Sequence, residues 1–245
     1  MKWHGKRYWL VGASEGLGLA LAQLLSAKGA EVILSARSRP ALEIAKSLMP
    51  GPVQILPLDV ADGSVVAKAA ADLEPLDGVV YLAGVYWPMK AQEWQADQVT
   101  AMCDVNFTGC ARVIGAVLPA MLARNQGHIV ITGSLSGFRG LPGAVGYAAS
   151  KSGVMALAEA LYCDLRGGPI RVQLANPGFI KTRLTDKNSF AMPFLMHPDE
   201  AAAHMLALME SRRFKSNFPT IFSWLFRLSQ FLPDWAYYRI FAPKG

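Results

Sequence analysis

The sequence predicts a single α/β domain in which helices cover both faces of a parallel sheet. Short apolar runs alternate with helix-length amphipathic segments up to about residue 210, and no linker or internal repeat interrupts them. Such alternation indicates right-handed crossovers in a doubly wound arrangement. The chain has 245 residues, of which 52% are hydrophobic and 17% charged. It can therefore bury the core that this fold requires.

The elements are predicted in chain order from their patterns. Six runs rich in Val, Ile and Leu are predicted to be buried strands, at residues 8–11, 31–36, 53–56, 78–82, 127–132 and 171–175. Helices are predicted at residues 16–28, 41–48, 64–73, 98–123 and 144–165. Gly29 ends the first helix, and Pro50-Gly51-Pro52 precedes the third strand. A further helix is expected from His197 to about Glu210, because a proline and two acids occupy its first turn.

The basic charge of the chain is concentrated at its C-terminus. Residues 212–245 carry six basic residues against one acid, whereas the whole chain has a net charge of +6. We therefore divide the domain into a body, residues 1–211, and a basic, aromatic tail, residues 212–245. Because the body is nearly neutral, we expect no nucleic-acid partner.

Residues 218–241 within the tail predict an apolar helix. Ser223, Arg227 and Gln230 fall on a narrow polar stripe, which leaves a wide apolar face. Prolines and an arginine interrupt the segment, so we do not expect a transmembrane span. Three interpretations remain: the tail folds onto the body beside the substrate, forms a subunit interface, or rests on an anionic membrane surface.

Cysteine and histidine usage indicates neither disulfides nor a metal site. The three cysteines have no C-x-x-C spacing, and the four histidines do not cluster with each other or with them. The first residues lack the apolar segment of a signal peptide. We expect a cytoplasmic protein, associated with the inner face of a membrane if the tail binds one.

The first apolar run ends in a glycine-rich turn, Gly12-Ala13-Ser14-Glu15-Gly16-Leu17-Gly18. A strand, such a turn and a helix form the Rossmann-type unit, in which glycines let the backbone approach a pyrophosphate. The alternative is a tight turn without a ligand. The second strand ends in Ala36-Arg37, with no acid to bond the ribose hydroxyls. Since a guanidinium binds a 2′-phosphate, we predict NADP(H); the alternative is that Arg37 is only a solvated loop residue.

Tyr147 and Lys151 lie one helical turn apart and therefore share a face of the helix predicted over residues 144–165. A phenol has a pKa of about 10, a poor match to neutral pH. A cation about 4 Å away would lower that pKa by roughly three units. The pair can therefore make the Tyr147 phenol more acidic; the alternative is a solvated surface pair.

These motifs resemble the short-chain dehydrogenase/reductase family over roughly residues 6–208. The glycine-rich turn is similar to the family's T-G-x3-G-x-G, with Val11 in place of threonine. Tyr81 and Leu82 replace the asparagines of its N-N-A-G, and residues 177–182 are similar to its P-G-x3-T. Together with Arg37, the resemblance implies cofactor binding by Gly12, Ser14, Glu15, Gly16, Leu17, Gly18, Arg37, Asp59, Val60, Ala83, Gly84, Tyr147, Lys151, Pro177, Gly178, Ile180 and Thr182.

The resemblance also implies four catalytic residues. Ser134 lies thirteen positions before Tyr147, as in the family, and would polarise the substrate carbonyl. Tyr147 would exchange the proton, with Lys151 lowering its pKa. Asn106 would support a proton relay; the alternative is a structural asparagine.

These residues make residues 1–211 the expected dinucleotide-binding catalytic domain. The function predicted from them is an NADP(H)-dependent oxidoreductase that interconverts a ketone or aldehyde and an alcohol. The alternative is a non-catalytic dinucleotide-binding regulator or scaffold. Residues 185–198 are expected to form the substrate loop. Their apolar side chains predict a hydrophobic or lipid-like substrate, or else only pack against the core; they are Phe190, Met192, Phe194, Leu195 and Met196. By analogy with the family, we expect a homodimer or homotetramer built on residues 98–123 and 144–165.

Overall fold

Seven parallel strands form one sheet in the computed structural model, which describes residues 3–73 and 75–241. Six of them are the strands predicted from the apolar runs, with ends that differ by at most two residues. The strands are β1 (Arg7–Val11), β2 (Glu31–Ser35), β3 (Val53–Ile55), β4 (Gly78–Tyr81), β5 (Gly127–Thr132), β6 (Ile170–Pro177) and β7 (Lys215–Phe218). The predicted fold class, a doubly wound parallel sheet, is confirmed.

Helices connect and cover these strands, and the second and third of them begin at a side-chain cap, Ser38 and Asp62. The Asp62 carboxylate accepts hydrogen bonds from the Ser64 and Val65 N–H groups at 2.9 and 3.1 Å, which starts the third helix. In the described residues the α-helices are α1 (Gly16–Ala27), α2 (Arg39–Ser47), α3 (Gly63–Asp72), α4 (Ala96–Cys103), α5 (Gly109–Ala123), α6 (Val145–Leu165), α7 (Pro198–Glu210), α8 (Thr220–Ser229) and α9 (Asp234–Phe241).

The strand order places a crevice beside β1. The sheet has the order β3-β2-β1-β4-β5-β6-β7, so the chain runs outward from β1 and then returns to its other side at β4. Val11 pairs with Tyr81, which sets the ends of β1 and β4 side by side. Loops that leave two such strands diverge to opposite faces of the sheet and open a crevice at their carboxyl ends. The glycine-rich turn lies at this point.

Two hydrophobic cores cover the two faces of the sheet. Alternate residues of β1 belong to different cores: Tyr8 and Leu10 to one, Trp9 and Val11 to the other. The first core includes residues of α1 and α7, and the second includes residues of α3, α5 and α6. Burial on both faces explains why the strands are continuous apolar runs.

One helical stretch in the described part of the chain, Ala96–Ala123, is long and apolar enough to cross a membrane by length and composition, with 39% of its most apolar window buried. It joins α4 to α5 through a π-helical turn at Asp104–Thr108, where the sequence predicts a continuous helix. Its two halves pack against α6 and α3 within the domain. The π-helical turn contains the fully buried Asn106, and such turns often occur at functional sites.

The C-terminal segment differs from the single helix predicted over residues 218–241. It forms two helices, α8 and α9, because Pro233 lies between them and has no N–H to continue the first. The segment before them supplies β7, which pairs with the edge of β6. Residues 242–245, the end of the predicted tail, lie outside the described residues.

The polar stripe of α8 faces partly inward. Ser223 is fully buried, and its hydroxyl donates to the Thr220 carbonyl at 2.7 Å. Arg139 donates to the carbonyl oxygens of Ser229 and Leu232 at 2.9 and 2.8 Å, which holds the joint between α8 and α9 on the body. As a result, much of the apolar face of both helices is exposed.

Candidate active site

The glycine-rich turn forms a backbone cradle at the crevice. Gly12 has a φ of +94°, and a Cβ there would lie 2.4 Å from the backbone nitrogen of Ala83. A Cβ on Gly18 would lie 2.1 Å from the carbonyl oxygen of Gly12. Side chains at either position would therefore collide with the loop after β4 or with the turn itself. The residues present fit the close backbone approach that a pyrophosphate requires.

The N-terminus of α1 completes this cradle. Its first turn contains no acid, and the N-cap residue Glu15 makes no side-chain cap. The first N–H groups of a helix have no intrahelical partner and are available to an anion. The Glu15 carboxylate instead accepts a hydrogen bond from Nε of Arg183 at 2.8 Å. Ser14 and Leu17 occupy the same turn.

The end of β2 presents a guanidinium group. Arg37 is exposed, and no hydrogen bond or ion pair to residues 3–73 or 75–241 holds its side chain. Arg39, by contrast, lies 3.7 Å from the carboxylate of Glu43. Asp59-Val60 follows β3 at the same edge of the sheet, where the carboxylate accepts from the N–H two residues on at 3.0 Å. An unengaged arginine at this strand end fits a 2′-phosphate.

The segment after β6 closes over the turn. Pro177 is the last residue of β6, and Gly178 follows it. Ile180 then pairs with Met196, which closes the intervening loop at its base. Thr182 reaches the turn, where its Cγ2 would lie 3.0 Å from a Cβ on Gly16. The residues that the P-G-x3-T resemblance singled out therefore adjoin the glycine-rich turn.

Ser134 and Tyr147 line one cavity of about 560 Å³. Ser134 follows β5, and its hydroxyl oxygen lies 2.9 Å from that of Ser136. Tyr147 lies in the first turn of α6, with its ring edge-on to Tyr86 at a centroid distance of 4.9 Å. Thr185 also lines this cavity, and its hydroxyl donates to the carbonyl of Thr182, the residue beside Gly16, so one segment borders both the cavity and the glycine-rich turn.

The electrostatics of Tyr147 differ from the sequence prediction. Burial raises the pKa of Tyr147 to about 12, and a hydrogen bond with Ser134 only partly opposes that rise. The predicted lowering by Lys151 is wrong for this structure, because the lysine Nζ lies 5.8 Å from the ring centroid and donates to the Thr132 carbonyl at 2.9 Å. Desolvation of the phenolate is the largest cause of the raised pKa. Tyr147 is thus protonated at neutral pH.

Asn106 ties the loop after β4 to α6. Its Oδ1 accepts from the Val85 N–H at 2.8 Å, and its Nδ2 donates to the Val85 carbonyl and to Ser150 Oγ, each at 3.0 Å. A Cβ on Gly84 would lie 3.4 Å from this Oδ1 and 4.0 Å from Nζ of Lys151. Gly84 therefore lies beside both the amide of Asn106 and the ammonium of Lys151.

The predicted substrate loop contributes one of its five apolar side chains to the cavity wall, that of Phe190. Met196 is 2% exposed and belongs to the first hydrophobic core. Phe194 is exposed and stacks on Phe222 of α8 at a centroid distance of 5.5 Å. The loop therefore serves both the cavity and the core.

Several cavity residues were missed by the sequence analysis. Tyr86 lines the cavity, and its hydroxyl donates to Oδ1 of Asn188 at 3.0 Å. Phe222 and Phe226 of α8 also line the cavity. The only signal for α8 was its aromatic composition, which does not specify a partner surface. Tyr86 lies in a loop without periodicity, so no pattern marked it.

Cysteine and histidine side chains lie apart from the cavity lining. In the described stretches, no group of three or more His, Cys, Asp or Glu could hold a metal ion. Cys110 is a buried free thiol, and burial raises its pKa to about 12. The buried His128 is hydrogen-bonded to Tyr8 and Gln173 at 2.8 and 2.9 Å. Both residues are therefore buried in the interior and do not line the cavity.

Gly12→Ala is expected to destabilise the fold and abolish dinucleotide binding. The new Cβ meets backbone atoms of Ala83, and the φ of +94° is unfavourable for alanine, so we expect a loss of roughly 2 kcal/mol or more. Gly115→Ala is the matched control, because a Cβ in that helical position meets nothing within 4 Å. It should stabilise the protein by about 0.5–1 kcal/mol. Urea unfolding measures the stability of each variant, and fluorescence titration measures its affinity for NADPH. If the two variants have equal stability and equal NADPH affinity, the glycine-rich turn is not the cofactor cradle.

The stability of the protein should depend on pH through Lys151. Burial lowers the pKa of Lys151 from 10.5 to about 8, so between these values the unfolded chain binds more protons and stability rises with pH. The unfolding free energy of the wild type relative to Lys151→Met should therefore rise by on the order of 1–3 kcal/mol between pH 8 and pH 10. Urea unfolding across this range provides the measurement, with exposed Lys68→Met as the control. If the difference in unfolding free energy between the wild type and Lys151→Met does not change with pH, burial does not lower the pKa of this lysine.

A family profile and individual relatives both place this sequence among oxidoreductases. The profile of the short chain dehydrogenase family matches residues 6–192. An uncharacterized oxidoreductase of Myxococcus xanthus strain DK1622 is 40% identical over 203 residues, which is 80% of each chain. Another, from Staphylococcus aureus strain MW2, is 32% identical over 181 residues, covering 72% of this chain and 78% of the relative.

Solved structures share the fold. A short chain dehydrogenase from Burkholderia cenocepacia J2315 in complex with NADP has a TM-score of 0.88 at 22% identity and covers 100% of both chains. A short chain dehydrogenase/reductase from Burkholderia phymatum in complex with NAD has a TM-score of 0.85 at 25% identity and covers 94% of each chain. With the profile match over most of its length, the chain belongs to the short-chain dehydrogenase/reductase family.

Proposed function

We propose that the protein is an NADP(H)-dependent oxidoreductase that interconverts a ketone or aldehyde and the corresponding alcohol. The observation that carries this proposal is the pair of hydroxyls of Ser134 and Tyr147 in one cavity, which is connected to the glycine-rich turn through Thr185 and Thr182. Family membership already makes a nicotinamide dinucleotide the expected cofactor and a small molecule the expected substrate. A pure binder would have no need of a proton donor at this wall.

The reduction would proceed through proton transfer at the cavity wall. When bound, the nicotinamide would exchange a hydride with the substrate carbon and, in its oxidised form, add a positive charge beside the phenol. The Ser134 hydroxyl would donate a hydrogen bond to the substrate oxygen as negative charge develops there. Tyr147 would then give its phenolic proton to the same oxygen, which yields the alcohol.

The raised pKa of Tyr147 suits the reductive direction. At neutral pH the phenol retains the proton that a developing alkoxide takes. In the oxidative direction the phenolate would act as the base, and positive charge at Lys151 would favour that form. We propose that Asn106, which holds the neighbouring loop and Ser150, positions Lys151 and supports the proton relay to the phenol.

The choice of NADP(H) over NAD(H) depends on Arg37. Its guanidinium has no partner among the described residues and follows a strand end that lacks an acid. A carboxylate at this position would repel a 2′-phosphate, whereas a guanidinium can bind it in a bidentate manner. The Burkholderia structures contain NADP in one case and NAD in the other, so they favour neither cofactor for this protein. Arg37 is the residue that favours NADP(H).

The cavity favours a hydrophobic substrate. Phe179, Phe190, Phe222 and Phe226 contribute to its lining, and its volume of about 560 Å³ lies within the range of small-molecule sites. The hydroxyl groups of Ser134, Ser136 and Tyr147 lie together in the lining, where a carbonyl oxygen would be bound. We therefore propose a bulky or lipid-like ketone or aldehyde, or its alcohol.

We also propose a homodimer or homotetramer built on the outer faces of α4, α5 and α6. α4 packs against α6 and is joined to α5 by the π-helical turn, and Phe107 of that turn and Leu122 of α5 are 37% and 47% exposed. Light scattering coupled to size-exclusion chromatography tests this assembly. A monomeric mass for the wild type would contradict it.

The function is tested by following absorbance at 340 nm with NADPH and a panel of carbonyl compounds. The panel should pair long-chain methyl ketones and bulky cyclic ketones with acetone and pyruvate. We expect oxidation of NADPH with the hydrophobic members, and kcat/KM that rises with their size. Tight NADPH binding without turnover across the panel would instead support a dinucleotide-binding regulator.

A further inference from the structure

The C-terminal helices expose an unusually apolar surface. Of the seventeen large hydrophobic side chains that are exposed among the described residues, eight belong to α8, α9 and their joint. On α8 the exposed residues recur at the spacing of one helix face, while Phe222 and Ser223 face inward. This α8–α9 surface consists of Ile221, Trp224, Leu225, Leu228, Phe231, Trp235, Tyr238 and Ile240. Their exposure ranges from 47% at Trp224 to 85% at Phe231.

The charge around this surface is basic. Residues 216–241 contain three charged side chains, those of Arg227, Asp234 and Arg239. The Asp234 carboxylate is ion-paired with Arg139 of the body, so the two charges balance each other. The Arg227 guanidinium lies over the ring of Trp224, 4.2 Å from its centroid. The exposed apolar face is thus accompanied by cations without a free acid.

We propose that the α8–α9 surface docks on an anionic lipid bilayer. Apolar side chains with tryptophan, tyrosine and arginine at their margins match the boundary between acyl chains and headgroups. Anionic headgroups would neutralise Arg227 and Arg239. Two copies of the same surface would bring Arg227 and Arg239 of each copy together, and the one acid of the segment is already paired with Arg139, so the charge argues against a self-complementary contact.

The surface is fixed to the body and adjoins the cavity. Arg139 binds the carbonyl oxygens at the joint of α8 and α9, and Tyr237 donates to the Gly140 carbonyl at 2.6 Å. The inner face of α8 supplies Phe222 and Phe226 to the cavity lining. Docking would therefore set the cavity beside the lipid. Given the proposed function, the substrate class is a lipid-like carbonyl compound or alcohol taken from the bilayer.

Vesicle co-sedimentation of the full-length protein tests this inference. The vesicles are phosphatidylcholine alone and phosphatidylcholine mixed with phosphatidylglycerol. We expect the wild type to pellet with the mixed vesicles, and Leu225→Glu with Leu228→Glu to lower the partition coefficient on the order of 10-fold or more. Arg227→Glu should weaken binding to the mixed vesicles selectively. Ile44→Glu is the matched control, because Ile44 is 66% exposed on α2 and should not affect pelleting.

Two results would overturn the inference. One is a wild type that pellets no more than the double glutamate variant. The other is an absence of vesicle binding together with a loss of the oligomer in that variant, which would make the surface a subunit interface. Turnover of a water-soluble cyclic ketone is measured in parallel and should be equal in wild type and variant. Vesicle binding without turnover would defeat the proposed enzyme activity and leave the docking intact.

Discussion

Tyr147→Phe is expected to lower kcat for ketone reduction on the order of 10²–10⁴-fold, with the affinity for NADPH near that of the wild type. The substitution removes the phenolic oxygen and keeps the ring that packs edge-on against Tyr86. The cavity then retains its shape, but Ser134 is left without a proton donor beside it. Steady-state absorbance at 340 nm and fluorescence titration with NADPH separate these two quantities.

Tyr86→Phe is the matched control, because both phenols line the same cavity. The Tyr86 hydroxyl donates to Asn188 of the substrate loop, so its loss should change KM by less than about 10-fold and leave kcat near the wild-type value. A similar loss of kcat in both variants would mean that the cavity needs phenols for shape or polarity. A fully active Tyr147→Phe would remove the acid from the mechanism altogether.

Arg37→Asp is expected to raise KM for NADPH by about 10²-fold or more. Hydrogen bonds to a charged group each contribute about 1.5–3 kcal/mol, and the new carboxylate would also repel the 2′-phosphate. NADH has no such phosphate, and a carboxylate at this strand end can bond its ribose hydroxyls. KM for NADH should therefore stay unchanged or fall. The measurement is kcat/KM for each cofactor with one saturating ketone.

Arg39→Asp serves as the control for Arg37. Its guanidinium lies near the Glu43 carboxylate on the exposed surface of α2, where ion pairs contribute little. We expect its cofactor preference to match that of the wild type. Equal losses for NADPH and NADH in Arg37→Asp would show that the arginine supports the fold of the loop and does not select the cofactor.

The sequence predicts most of the sheet because its strands are buried on both faces and so read as apolar runs. β7 escaped prediction, since its sequence, Lys-Ser-Asn-Phe, has no such run and is held at the sheet edge by pairing with β6. The break between α8 and α9 follows from Pro233, yet the segment's composition suggests one helix. Which face of α8 packs on the body depends on Arg139, which lies more than eighty residues away in sequence.

The candidate site is predictable where a motif carries its own geometry. The glycine-rich turn and the Tyr147–Lys151 pair depend on local spacing, and the structure brings both to the carboxyl edge of the sheet. The pKa of Tyr147 was not predictable, because it depends on desolvation in the cavity wall and on the carbonyl of Thr132, which engages the lysine. Residues of α8 meet the substrate loop only through the tertiary fold, and no sequence pattern links Phe222 to Phe194.

Transfer of deuterium from NADPH that carries deuterium at both C4 positions of the nicotinamide tests the central claim most directly. With a hydrophobic ketone and the wild-type protein, we expect one deuterium on the carbinol carbon of the alcohol, detected by mass spectrometry. Tyr147→Phe should slow this transfer by the factor measured for kcat. The account would be contradicted if NADPH binds, the label stays on the nicotinamide with every ketone of the panel, and the two proteins behave alike.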